Sequence, residues 1–211
     1  MTGLALGLLA ATLVVAAIDW FAVSRDDTRL EYVMKPLTMV VLIGAALALD
    51  DVDGTARTWF VAALVFSLAG DVFLMLPSDL FVPGLASFLV GHIAYIIGLQ
   101  SLDTSGIGLA IGLVVVLLAI PVLGLRIAKA VHGGDEPELL APVIAYMAVI
   151  SAMVVSASAS GNPFAIAGAV SFYASDALIA WTRFITDFRW GRTAVMVTYH
   201  LAQVGLVLSL V

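Results

Sequence analysis

An all-helical membrane protein, a bundle of eight transmembrane helices, is the fold class that three features of this chain predict. First, 63% of its 211 residues are hydrophobic and only 11% are charged, too little polarity to clothe a soluble domain of this size. Second, apolar runs of about 20 residues, the length a helix needs to cross a bilayer, recur from end to end. Mean hydropathy is accordingly high, at +1.14. Third, the runs are unbroken rather than alternating, which excludes a transmembrane barrel.

Taken in order, the candidate spans fall at roughly 3–23, 34–50, 57–77, 81–101, 105–127, 138–159, 164–184 and 191–211. The first has no basic leader and no cleavage site, so it reads as a retained helix rather than a signal peptide. Asp19, one turn from its end, reads as an interfacial carboxylate. The second opens on Lys35-Pro36, and the third carries Asp71 within FSLAGDVFLML. The fourth places Phe88, His92 and Tyr95 on one face by their four-then-three spacing. The fifth is featureless. The sixth holds Ser151, Ser156, Ser158 and Ser160, which have no local base and read as packing. The seventh carries Asp176 within SFYASDALIAW and, two turns later, Arg183. The eighth puts Met196, His200 and Gln203 close to one stripe, with Tyr199 beside them. Trp20, Trp59, Trp181 and Trp190 read as belt residues at the membrane interfaces. Short connections make the chain one eight-helix unit, residues 1–211.

Basic residues set the orientation. The odd connections hold Arg25, Arg29, Lys35, Arg126, Lys129, Arg183, Arg189 and Arg192, while the even ones hold only Arg57. Positive-inside bias then places both termini outside and the odd connections in the cytoplasm. The halves echo each other weakly at an offset of 105–108 residues: Asp71 lies over Asp176, His92 over His200, and Tyr95 over Gln203. Four helices per half would make these parallel repeats.

The polar residues agree in depth. At a rise of about 1.5 Å per residue, Lys35 sits at the cytoplasmic surface, Asp71 roughly 9 Å in, Asp176 near ~12 Å, Tyr199 and His200 near ~13–15 Å and His92 near ~18 Å. That pattern predicts a cavity open to the cytoplasm. An aspartate at mid-bilayer depth costs roughly 3 kcal/mol to insert, so such residues are rare, inward-facing and functional. Other classes are poorly served. With no cysteines the chain has no disulfide or thiolate chemistry. No basic patch or aromatic platform suits nucleic acid. Motifs for serine, zinc or nucleotide chemistry are missing, and neither a metal nor a cofactor is expected. The competing readings are a proton-coupled transporter, a zinc-dependent intramembrane hydrolase using His92, His200, Asp71 and Asp176, and a lipid-binding scaffold.

Lys35-Pro36-Leu37, Gly70-Asp71-Val-Phe-Leu and Phe81-x-x-Gly84-x-x-x-Phe88-x-x-x-His92-x-x-Tyr95 resemble the YhhN-like family of eight-helix membrane proteins. Further on, Ser175-Asp176-x-Leu178-x-Ala180-Trp181-x-x-Phe184 and Arg192-x-x-Val195-Met196-x-Thr198-Tyr199-x-x-Ala202-Gln203 fit the same pattern, from about residue 35 to the C-terminus. The chain departs from that pattern at His200, where a second tyrosine is expected. The resemblance implies a lysoplasmalogenase, which cleaves the vinyl ether of a lysophospholipid to a fatty aldehyde and a glycerophospho-headgroup. A vinyl ether hydrolyses when an acid protonates its β-carbon, leaving an oxocarbenium ion that water captures. Burial and a neighbouring carboxylate both favour the protonated form of an aspartate, and two close acids can share one proton. Asp71 and Asp176 are therefore the expected acid/base pair, as in glycoside hydrolysis. His92, Tyr95, Tyr199, His200 and Gln203 are expected to line the substrate site. Lys35, with Arg183 or Arg192, is expected to hold the phosphate at the rim.

Overall fold

A computed structural model describes residues 1–211, and all of its regular structure is helical. Eight spans emerge: α1 (Gly3–Ser24), α2 (Thr28–Leu47), α3 (Gly54–Met75), α4 (Phe81–Leu99), α5 (Gly106–Gly133), α6 (Leu140–Ala159), α7 (Pro163–Phe184) and α8 (Gly191–Leu208). Five of them start on a side chain that accepts from an otherwise orphaned backbone N–H: Thr2, Asp27, Asp53, Ser105 and Asn162. Pro163 follows Asn162 at the first helical position, where its missing N–H costs nothing.

Three boundaries differ from the hydropathy reading. α2 begins at Thr28, one turn and a half before the apolar run, because Asp27 caps a polar turn whose Glu31 is buried. α5 continues to Gly133, passing Pro121 by widening into a π-turn over Ile120–Gly124. The proline lacks the N–H that an unbroken α-ladder would use. α8 ends at Leu208 and is the one span that falls short of the apolarity that marks the other seven as membrane-crossing. Its inner face carries Tyr199, His200 and Gln203, all buried, so its polarity is turned away from lipid.

Most consecutive helices pack side by side, and with α4 meeting α6 instead of α5 the order α1–α2–α3–α4–α6–α7–α8 closes back on α1. α5 stays outside this ring, docked on α6, with its C-terminal turns touching α7. α8 reaches inward and also meets α2 and α3. The ring's core is a cluster of 30 buried residues, including Phe60, Phe88, Tyr95, Phe172 and Tyr199. Close approach of α7 and α8 depends on Gly168, where a Cβ would stand 2.8 Å from the Leu206 nitrogen and 2.9 Å from the Ala202 oxygen.

Gly168→Ala therefore forces two backbones apart. We expect it to lose about 1–3 kcal/mol of stability, read as a lower unfolding midpoint in detergent. Gly3→Ala, with nothing within 4 Å of its Cβ, should leave the midpoint unchanged.

Candidate functional site

Burying a lysine in an apolar bundle requires a partner, and α2 meets α3 around one. Lys35 Nζ lies 3.2 Å from Asp71 Oδ1, and Tyr199 on α8 donates to Asp71 Oδ2 at 2.6 Å. Lys35 is 5% exposed and Asp71 1%. A second cluster forms on the other side of the aromatic wall made by Phe88, Phe172 and Tyr199, whose rings meet edge to face. Here Tyr146 on α6 donates to Asp176 Oδ2 at 2.7 Å, and His92 Nε2 stands 3.0 Å from the same oxygen and 2.8 Å from the tyrosine hydroxyl. His92 Nδ1 is buried without a partner. With Nε2 facing a carboxylate oxygen, that nitrogen is placed to donate its N–H to Asp176.

The two carboxylates therefore do not share a proton. No hydrogen bond joins Asp71 to Asp176; each has its own donors, and the helices separate them into two clusters. The physical reason is the lysine, whose charge claims Asp71 and leaves Asp176 to Tyr146 and His92. Asp71 and Asp176 also differ in access. Asp176 lines an apolar chamber between α3, α4, α5, α6 and α7, with an empty volume of about 670 Å³ including its open mouth. Asp71 lines neither that chamber nor the two polar clefts beside it.

Those clefts occupy the end of the bundle where α2 and α8 begin and α3 and α7 finish. The first is a vestibule lined by Glu31, Tyr32, Lys35, Thr182 and Arg192 among others. The second, an outer mouth, is lined by Asp79, Glu136, Arg183 and Arg192 among others. Leu74 and Ile179 line chamber, vestibule and mouth alike, so they stand where the three spaces meet.

The remaining expected residues fall into three groups. Tyr95 donates to Gln203 Oε1, an interior bond in which both side chains are fully buried. His200 accepts from Trp20 Nε1 at 3.0 Å, which corrects the belt reading of that tryptophan. Like Tyr95, Tyr199 and Gln203, it lines none of the three spaces. Both arginines reach the rim, but carboxylates hold them there. Arg183 grips Asp79 at 2.9 and 3.1 Å and Glu136 at 2.9 and 3.0 Å. Arg192 bonds Asp26 at 3.1 Å and Glu31 at 2.7 Å. The Arg183 hydrogen bonds hold the Asp79 carboxyl, in the loop after α3, below the usual carboxylate range.

Sequence reasoning missed Tyr146, a lone hydroxyl in an apolar span whose signal was weaker than that of the serines around it. It also misplaced Asp19, which is fully buried with neither oxygen hydrogen-bonded, within electrostatic reach of Lys35, Glu31, Asp71 and Arg192. α1 packs on α2 and α8, so its position near a helix end does not bring it to water.

Residues 30–210 match the model of the YhhN family. Human lysoplasmalogenase TMEM86B is 29% identical over 192 residues, covering 91% of this chain and 76% of that protein. The lysoplasmalogenase of Mycobacterium tuberculosis is 35% identical over 157 residues, 70% of this chain and 58% of the relative. Rat lysoplasmalogenase TMEM86B is 31% identical over 178 residues, 83% of this chain and 70% of the relative. This chain thus spans less than two thirds of the mycobacterial relative's length. No solved structure is significantly similar to it.

Removing one partner of the buried pair strands the other. Lys35→Met should lower stability by about 3–5 kcal/mol, and adding Asp71→Leu should restore most of it. Unfolding midpoints in detergent read both; simple addition of the two losses would mean the charges are not coupled.

Proposed function

This chain belongs to the YhhN family, and from that premise we propose that it hydrolyses the vinyl ether bond of lysoplasmalogens. The products are a fatty aldehyde and glycerophosphoethanolamine or glycerophosphocholine. The names of its relatives support that reading. So does the placement of one acid against an apolar chamber that meets a polar vestibule, which matches the shape of a single-chain lipid.

The observation that carries the mechanism is the asymmetry of Asp176. Both of its donors, Tyr146 and His92, bond Oδ2, and Oδ1 takes no hydrogen bond from the protein. A proton on Oδ1 leaves both bonds to Oδ2 intact, so the acid form fits the site without rearrangement. In this reading Asp176, and not a shared pair, is the general acid. Oδ1 gives its proton to the vinyl carbon β to the ether oxygen, and the oxygen lone pair stabilises the resulting oxocarbenium ion. Water then adds to the carbon bearing oxygen and returns a proton to Asp176. The hemiacetal collapses by breaking its bond to the glycerol oxygen, which takes the hydroxyl proton and leaves as an alcohol.

The other residues hold this arrangement. Tyr146 and His92 fix the carboxyl and steady its ionised form after proton transfer. Asp71 and Tyr199 anchor Lys35, whose remaining N–H donors serve the headgroup in the vestibule. Lys35 supplies the cation for the phosphate there, while Arg192, held by Glu31 and Asp26, forms part of the polar wall. With the basic helix ends in the cytoplasm, this opening lies at the inner leaflet. Tyr95, Gln203, His200 and Trp20 form the hydrogen-bonded frame behind the aromatic wall.

General acid catalysis typically supplies 10²–10⁴-fold, so Asp176→Asn should cut aldehyde release by about 100-fold or more while the protein still folds. Turnover in heavy water should place one deuterium on the carbon next to the aldehyde carbonyl, and a saturated alkyl lyso-ether should yield none. Aldehyde without that label would rule out carbon protonation.

A further inference from the structure

The chamber is not the end of the apolar space. A second crevice runs between α5, α6 and α7, lined by Val115, Val116, Ala119, Val154, Val170 and Tyr173, and its lining surface is wholly apolar. The chamber and this crevice have one lining residue in common, Tyr173. Along α7, Val170, Tyr173, Ala177, Ala180 and Phe184 follow three- and four-residue steps, so they form one continuous stripe. Val170 lies in the crevice, and Ala177, Ala180 and Phe184 lie in the chamber. Tyr173 thus stands as a partition in what would otherwise be one groove beside Asp176.

The opposite wall has a matching feature. At the end of the π-turn in α5, Gly124 lines the chamber, and a Cβ there would find nothing closer than the Met147 sulfur at 3.8 Å. A larger side chain at that position fits the backbone and takes up chamber space. The widened turn around Pro121 is what brings this glycine to the wall, since α5 otherwise stays outside the ring.

We infer that Tyr173 and Gly124 set the length of lipid chain that this protein accepts: Tyr173 closes the far end of the chamber, and Gly124 keeps its side wall clear. This inference rests on the reading of Asp176 as the site where a lyso-lipid reacts. The occupant is the alkenyl chain of that lipid. Its reacting end is fixed at Asp176, so Tyr173, one turn away on α7, decides whether the chain can run on into the crevice. Opening the partition would extend the groove into the crevice, and filling the wall would shorten it. Burying one further methylene is worth about fourfold in binding, so a groove longer by two or three methylenes changes preference by more than tenfold.

The test uses the purified full chain with alkenyl lyso-lipids of 8, ~12, ~16 and ~18 carbons, reading kcat/KM for aldehyde release. In parallel, the saturated alkyl lyso-ethers of the same lengths are bound without turnover and read by the rise in unfolding temperature. Tyr173→Ala should raise the preference for the longest chain over the ~12-carbon chain by about tenfold or more. Gly124→Leu should lower it by a similar factor. Val170→Phe, which fills the crevice, should cancel the gain in the Tyr173→Ala background and do little by itself. Equal chain profiles for wild type and both single variants, in turnover and in binding alike, would overturn the inference. A wild type that binds the saturated series in a chain-dependent manner but releases no aldehyde would instead overturn the hydrolase reading. The binding profiles of the variants would then still decide the role of Tyr173 and Gly124. Should Gly124→Leu fail to fold, Tyr173→Ala and its Val170→Phe reversal carry the test.

Discussion

The ion pair between Lys35 and Asp71 is the constraint around which this bundle is organised. In a low-dielectric interior an unpaired ammonium is untenable, so α2 and α3 must present the two groups to each other, and Tyr199 draws α8 to the same point. That requirement explains why the least apolar helix is also the one that reaches inward to meet α1, α2 and α3. A helix bearing Tyr199, His200 and Gln203 is costly against lipid and stabilised only where other helices satisfy it.

The same pair divides the labour between the two intramembrane aspartates. By holding Asp71 to a lysine, it leaves Asp176 with Tyr146 and His92 on one oxygen, while its second oxygen accepts no bond from the protein. An acid serves in proton transfer when it can exist in both forms without disrupting its surroundings. Asp176 meets that condition because Tyr146 and His92 crowd onto one oxygen. Asp71 does not, because protonating it would break a buried charge pair. Under the proposed reaction, the likeness to glycoside hydrolysis would lie in an oxocarbenium-type transition state rather than in two cooperating carboxylates.

The open spaces of the bundle form one continuous route from a polar end to an apolar interior. Polar clefts gather at one end of the bundle, where Glu31, Lys35, Arg183 and Arg192 lie, and the apolar chamber adjoins them at Leu74 and Ile179. α5 lies outside the ring yet supplies Leu123, Gly124 and Ile127 to the chamber wall, the first two from the π-turn around Pro121. The rim arginines are held in carboxylate pairs, so they shape the opening electrostatically as dipoles more than as free cations.

Much of this was legible in the residues alone, because membrane proteins announce their helices by length and apolarity. Eight helical spans, the inward-facing character of Asp71 and Asp176, and the burial of Lys35, His92 and Tyr199 all follow from the cost of placing polar groups in hydrocarbon. Boundaries slipped where polarity and helix propensity disagree: Asp27 starts α2 in a charged turn that hydropathy assigns to a loop. What the tertiary structure decided was pairing. Nothing in sequence spacing says that a lysine of α2 would claim Asp71, that Tyr146 would stand over Asp176, or that Asp19 would be sealed from water. Spacing reports which residues share a face of one helix, whereas partnership depends on which faces of different helices meet, and that is set by packing among residues far apart in the chain.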